Sequence, residues 1–373
     1  MLEGTKIEKN LHLTTTILNL AANDDNKVEI RYVFDIGSGG TKSKAVLVDK
    51  ATNKIINTVS ETSVAMGYQS CISGSPDGRS LSEDCMRDGL ASLFNIVSHY
   101  GFNSLKGLKC AGIATAWARN AWNGEDYIDL LNEYGFNIRI ITQEEEGEVG
   151  FRAAEMYLGT DVIGKSLVWD IGGGSFQLGL KNQATQKIFI YEGEYGASNF
   201  NAAIKDLFAG RLIANEFLTM EQLPAAQEFA RQRVSEPIKE FAQDNAGNID
   251  LSNGVYGIGQ MMNRGIKTLI DDNSISVLAV DRLIHEFAGT HLSHAASKYS
   301  EIGLEFLIQM QSNLILIKAI MDGLQIEEVK FLNAKSLDYV VFDTKYWSDD
   351  TMGGDYDIFV HIDHEADSLP LAS

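Results

Sequence analysis

Residues 33–49 read VFDIGSGGTKSKAVLVD, and residues 168–180 read VWDIGGGSFQLGL. In each, an apolar run closes on an aspartate (Asp35, Asp170), a glycine-rich turn follows, and a hydroxyl residue leads into a second apolar run. Apolar runs of this length, punctuated by glycine, predict two strands joined by a tight turn. Outward from the first turn, EIRYVFDIG, SKAVLVD and KIINTVSETSV predict an antiparallel meander. A helix over 82–101, a buried strand over 108–116, a helix within AWARNAWNGEDYIDLLNEYG and a strand over 136–142 follow. The second half repeats the order more loosely, with SLVWDIGG, SFQLGLKN and QKIFIYEG as strands and helices across 197–243. GVYGIGQMMNRGI then reads as strand, glycine turn and helix start, 305–325 as one long apolar helix and EEVKFL as a short strand. Asp170 lies 135 positions after Asp35, the spacing of a duplicated domain rather than of a solenoid unit.

Two better-known glycine loops do not fit. A P-loop needs G-x-x-x-x-G-K-[ST] at a helix start, and here Thr41 separates Gly40 from Lys42. A dinucleotide fingerprint needs a third glycine and also opens a helix, whereas KSKAVLVD is strand-like. A single copy would pass for a plain hairpin. Two copies, each with an aspartate at the strand end, point to chemistry. Successive backbone N–H groups in such a turn form a concavity for anions, and a carboxylate beside it suits Mg²⁺, which keeps much of its water. Two such turns would clamp one phosphate chain.

Acidic residues outnumber basic ones 51 to 31 in the 373 residues, for a formal charge of −20. That balance excludes broad nucleic-acid binding, which needs clustered Lys and Arg. No apolar run approaches bilayer length, so no membrane partner is expected. The N-terminus lacks a basic start followed by an apolar block, so no secretory signal is expected. Cys71, Cys85 and Cys110 have no metal spacing; an odd count of this kind predicts reduced, buried thiols in a cytoplasmic protein. His361 and His364 are three apart but lack further placed ligands.

Four segments in order, DIGSGGTKS, GIATAWARNA, IITQEEEGEVGF and VWDIGGGSFQL, resemble the exopolyphosphatase/guanosine pentaphosphate phosphohydrolase (Ppx/GppA) family of the actin-like ATPase superfamily. The likeness runs over about residues 30–345, strong in the motifs and weak between them, with apyrases as cousins sharing the motif order. It implies an α/β fold of two ribonuclease H-like domains with mixed sheets and an interdomain cleft. The expected divisions are an extension over 1–28, domain I over 29–143, domain II over 144–345 and an acidic tail over 346–373.

The resemblance also implies roles. Gly37, Ser38, Gly39, Gly40, Thr41, Gly172, Gly173, Gly174 and Ser175 would hold phosphates, with Thr115 and Arg119 beside them. A guanidinium suits phosphate through paired hydrogen bonds. Asp35 and Asp170 would organise Mg²⁺ and its waters. In QEEEGEV, Glu145 has the capping-box spacing from Thr142 and Glu144 suits the helix dipole. That leaves Glu146 without a structural job; in the family the last glutamate before the small residue is the general base. Gly257 and Gly259 match a later family loop but lack its serine and threonine. Two departures stand out: Gln177 where the family usually has glutamate, an apyrase habit in which the amide helps hold water, and Glu148 where it usually has arginine. Both, with the acidic total, favour a short nucleotide over long polyphosphate.

The expectation is a Mg²⁺-dependent hydrolase releasing terminal phosphate from a small phosphoanhydride: a nucleoside 5′-tri- or diphosphate, guanosine pentaphosphate or polyphosphate. A sugar- or acetate-type kinase and a non-catalytic nucleotide-binding sensor are the alternatives. The family's habit of pairing leaves a homodimer open by analogy alone.

Overall fold

The computed structural model describes residues 27–99, 109–182, 184–245 and 250–347. Two compact units emerge. One runs to Thr142 and resumes at Leu337; the other is Gln143–Ser336. The expected domain II, 144–345, is therefore corrected at its far end. Residues from Leu337 rejoin the first unit because Asp338 accepts a 2.6 Å hydrogen bond from Lys44 Nζ, both side chains being buried. Arg31 Nη1 also donates to the Val341 carbonyl at 2.7 Å. The expected N-terminal extension and acidic tail, with His361 and His364, lie outside the described residues except at their inner edges.

In the first unit, β1 (Val28–Gly37), β2 (Gly40–Asp49) and β3 (Lys54–Ala65) form the expected meander, and β4 (Lys109–Ala114) and β5 (Ile138–Ile140) add in parallel, in the order β3-β2-β1-β4-β5. β1 and β2 bury consecutive residues because they lie inside the sheet with both faces covered. Edge strand β3 alternates instead. Helices α1 (Tyr68–Gly74) and α2 (Glu83–His99) follow β3; α3 (Ala116–Asn120) and α4 (Gly124–Glu133) link β4 to β5. Aromatic residues fill the core, Tyr68 stacking on Trp117 at 4.3 Å and Phe34 meeting Phe136 edge-on at 5.4 Å.

The second unit opens with α5 (Gln143–Leu158) and repeats the plan with β6 (Ser166–Ile171), β7 (Phe176–Lys181) and β8 (Ile188–Gly193), then α6 (Ala197–Leu207). Strands β9 (Gly254–Ile258), β10 (Ser274–Ser276) and β11 (Glu328–Phe331) complete the order β10-β11-β9-β6-β7-β8. Without the added edge strand β10, this is the first sheet's order again. Each unit thus carries the mixed sheet of a ribonuclease H-like fold. The long apolar helix expected over 305–325 is broken at Gln309, so that a short turn at Leu304–Leu307 precedes α7 (Met310–Leu324). α7 is buried almost all round, and Gln311 satisfies its amide on Leu218 N–H, Leu218 C=O and Ile284 C=O.

The expectation of three reduced cysteines is corrected. Cys71 and Cys85 are joined by a disulfide, with Cα atoms 6.2 Å apart, because α1 and the start of α2 bring them together. Only Cys110 is free; burial raises its thiol pKa far above the usual range. Among the described residues, no helix is long and apolar enough to cross a membrane.

Candidate functional site

Both glycine turns join antiparallel strands, in register. Across the first hairpin Asp35 faces Lys42 and Gly37 faces Gly40; across the second Asp170 faces Gln177 and Ile171 faces Phe176. None of the glycines in either turn takes a positive φ. What they supply is closeness: a Cβ on Gly40 would lie 2.6 Å from the Val64 carbonyl oxygen.

The chain that follows each hairpin engages the turn's carbonyl groups. In the first, Met66 N–H donates to Gly39 O and Gln69 N–H to Ser38 O. In the second, Ala197 N–H donates to Gly172 O, Ser198 and Asn199 N–H to Gly173 O, and the Asn199 amide to Gly174 O at 2.8 Å. The open N–H groups that every helix start carries are thereby satisfied at α6. Gly196 makes this approach possible, since a Cβ there would lie 2.4 Å from Ser175 N. The amides of Ser38, Gly39, Gly173 and Gly174 enter no hydrogen bond among the described residues. With carbonyls turned to the following segment and amides left over, each turn has the form of a backbone cradle suited to an anion.

The first cradle gathers more. Asp35, buried, receives Lys42 Nζ at 2.9 Å. β4 ends beside β1, with Ala114 opposite Ile36, so Thr115 N–H reaches Ile36 O and Trp117 Nε1 donates to the same carbonyl at 2.7 Å. That places Thr115, buried, and Arg119, half-buried on α3, at the end of the strand that carries Asp35. Arg119 Nη1 donates to Ile141 O at 2.7 Å. Thr41 is buried next to Lys42.

In the second unit α5 lies directly on the Asp170–Gln177 pair because two glycines face it. A Cβ on Gly147 would lie 3.1 Å from Gln177 Cβ, and one on Gly150 3.1 Å from Asp170 Oδ2. Glu146 sits one turn before Gly150, on the same stripe of the helix, and is half-buried. Gln177 is buried and its Nε2 donates to Ser175 Oγ at 3.1 Å. β9 runs beside β6 with Ile258 opposite Asp170, and Gly259, at φ +91°, passes so close that a Cβ would lie 2.9 Å from Asp170 Oδ1. Gly257, buried, is one strand position removed, opposite Trp169. The second unit therefore brings together Glu146, Asp170, Gln177, Gly172, Gly173, Gly174, Ser175 and Gly259. Glu148, the departure from the family pattern, points to the helix surface and pairs with Arg152 at 3.7 Å.

Sequence reasoning missed Lys42, Gly147, Gly150 and Gly196. The signal for Lys42 was its position seven after Asp35, where Gln177 stands seven after Asp170. The spacing of Gly147 and Gly150 inside a helix was a second signal, because glycine there weakens the helix unless something must approach it.

No group of three or more His, Cys, Asp or Glu side chains gathers as a metal cage among the described residues. Mg²⁺ does not require one, being commonly bound by one or two carboxylates, water and substrate phosphate. Asp170, half-buried at its strand end with the backbones of Gly150 and Gly259 close to its carboxylate, fits that donor set. Asp35 fits less well, its carboxylate already facing a lysine ammonium.

The Ppx/GppA phosphatase family profile matches residues 47–338, beginning just after the first cradle. No curated protein sequence matches the chain. Among solved structures, an Aquifex aeolicus member of the Ppx/GppA protein family superposes with a TM-score of 0.62 at 14% identity, covering 85% of this chain and 98% of that one. An exopolyphosphatase from Cytophaga hutchinsonii gives 0.63 at 14% identity, with the same coverage. These likenesses establish the shared fold.

Proposed function

Because the chain belongs to the Ppx/GppA phosphatase family, we propose that it hydrolyses the terminal phosphoanhydride of a short nucleotide, with Mg²⁺ and with Glu146 as the general base. The observation that carries the reading is the pair of cradles with unengaged amides, each beside an aspartate. In phosphoryl transfer the protein chiefly positions reactants and offsets developing charge, and backbone amides do both. Ser38, Gly39, Gly173 and Gly174 bind phosphate oxygens through N–H, and Arg119 and Lys42 contribute positive charge. Asp170 would hold Mg²⁺, which when bound offsets charge on the phosphate oxygens. Glu146 takes a proton from water as the water oxygen bonds to the terminal phosphorus. The bridging P–O bond breaks, and the shortened nucleotide leaves with that electron pair. Gln177, fixed on Ser175, orients the water through its amide.

The short-nucleotide preference rests on Glu148 and on the formal charge of −20, both unfavourable to a long polyanion. The test is phosphate release from ATP, GTP, guanosine pentaphosphate and polyphosphate, with Mg²⁺ and without any acceptor. Release from nucleotides is expected, and Glu146→Gln should lower it about 10²–10⁴-fold while nucleotide still binds. Wild-type rates in that variant would remove Glu146 from the mechanism; release only when a sugar or carboxylate acceptor is added would make the enzyme a kinase.

A further inference from the structure

We infer that Trp122, with Arg79 beside it, is a stacking platform for the base of a nucleotide whose phosphates lie on the first cradle; the inference rests on the phosphohydrolase reading and names its substrate class. Trp122 is 71% exposed, whereas Trp117 and Trp169 are fully buried and Trp347 is half-buried. A tryptophan so open is uncommon on a monomer surface. Its backbone is also held firmly. Trp122 N–H donates to Arg79 O at 3.0 Å. The next residue, Asn123, clamps Leu81 through both amide atoms, at 2.8 and 2.9 Å. The turn that carries Arg79 is gathered by Asp77, which accepts from Arg79 N–H, Ser80 N–H, Ser80 Oγ and Ser75 Oγ. Those donors hold the Asp77 carboxyl well below the usual carboxylate range, so it stays ionised. The Cys71–Cys85 disulfide closes the loop containing this turn. An aromatic ring displayed on so constrained a backbone loses little freedom when a ligand stacks on it.

Arg79 holds its guanidinium 4.7 Å from the centre of the Trp122 ring. It covers one face and leaves the other for a second planar group. No side-chain hydrogen bond of Arg79 occurs among the described residues, so its N–H donors are available to the carbonyl and ring-nitrogen acceptors of a base. The stretch of chain between Trp122 and the residues beside the first cradle is short. Trp122 follows Arg119 by three residues and Thr115 by seven, on the segment that leaves β4 beside the end of the strand carrying Asp35. A polyphosphate has nothing to place on an indole ring; a nucleotide does. Stacking is tolerant of base identity because every base has a π-face, so both purines and pyrimidines should be accepted.

The experiment compares Trp122→Ala and Trp122→Phe with the wild type on two ligands, ATP and inorganic tripolyphosphate. Binding is followed by intrinsic tryptophan fluorescence, or by calorimetry for the variants, and turnover by phosphate release. Trp122→Ala should lower the ratio of ATP to tripolyphosphate affinity about tenfold, and Trp122→Phe should recover most of it. An unchanged ratio, or loss of both ligands in equal measure, overturns the platform, as does an effect of the variants only on self-association. If the wild type releases no phosphate from either ligand yet the ratio still depends on Trp122, the base site stands and the hydrolase reading fails.

Discussion

Across its hairpin Asp35 faces Lys42, while Asp170 faces Gln177, at matching positions of two otherwise equivalent turns. The first aspartate is buried against a cation at 2.9 Å; the second is half-exposed, with a neutral amide opposite and glycines on two other sides. The next inward-facing position differs in the same sense: Lys44 in β2 is braced by Asp338, while its counterpart Gly179 in β7 packs on Phe151. Duplication has thus kept the cradle geometry and let the charges diverge. In the first turn the aspartate is already paired with the lysine opposite it. In the second the carboxylate faces an amide, and the helix that carries Glu146 lies against that pair.

The strongest way to break this division is to neutralise each aspartate separately. Asp170→Asn should reduce phosphate release by about 10²-fold or more and raise the Mg²⁺ concentration needed for half-maximal rate, with little change in the urea midpoint. Asp35→Asn should act mainly on stability, since it leaves the Lys42 ammonium beside an uncharged partner in a mostly buried place. Equal effects of the two on rate would erase the distinction. Next in size, Asp338→Ala should destabilise the first unit by about 3 kcal/mol, the low end for an orphaned buried charge, because Glu61 stands 3.9 Å from Lys44 and keeps part of the compensation. Urea denaturation measures it. The smallest effect sharpens the account of the turn itself: Gly40→Ala should cost about 1–3 kcal/mol through its clash with Val64. Gly39→Ala, with nothing within 4 Å of the new methyl group, should stay within about 0.5 kcal/mol.

Much of this was legible. Both hairpins, the meanders and the helix headed by QEEEGEV follow from apolar periodicity and glycine punctuation, which act over short stretches of chain. What escaped depends on contacts distant in sequence. Nothing local in Lys44 announces Asp338, 294 residues away, so the return of the chain to the first unit was invisible. Cys71 and Cys85 lack any motif spacing and meet only because two helices do. Gly196 reads as an ordinary loop glycine until the second cradle is seen pressed against it. Charge divergence between the cradles was visible as letters, Lys42 against Gln177, but acquired meaning only once the register put each opposite its aspartate.

That same return of Leu337 and Asp338 bears on the order in which the molecule can be made. The second unit is one uninterrupted segment, Gln143–Ser336, and all of it is synthesised before Asp338, the residue that braces Lys44. Domains ordinarily complete in the order of synthesis. Here the unit encoded first receives its closing residues last, and until they arrive Lys44 has Glu61, 3.9 Å away, but not Asp338.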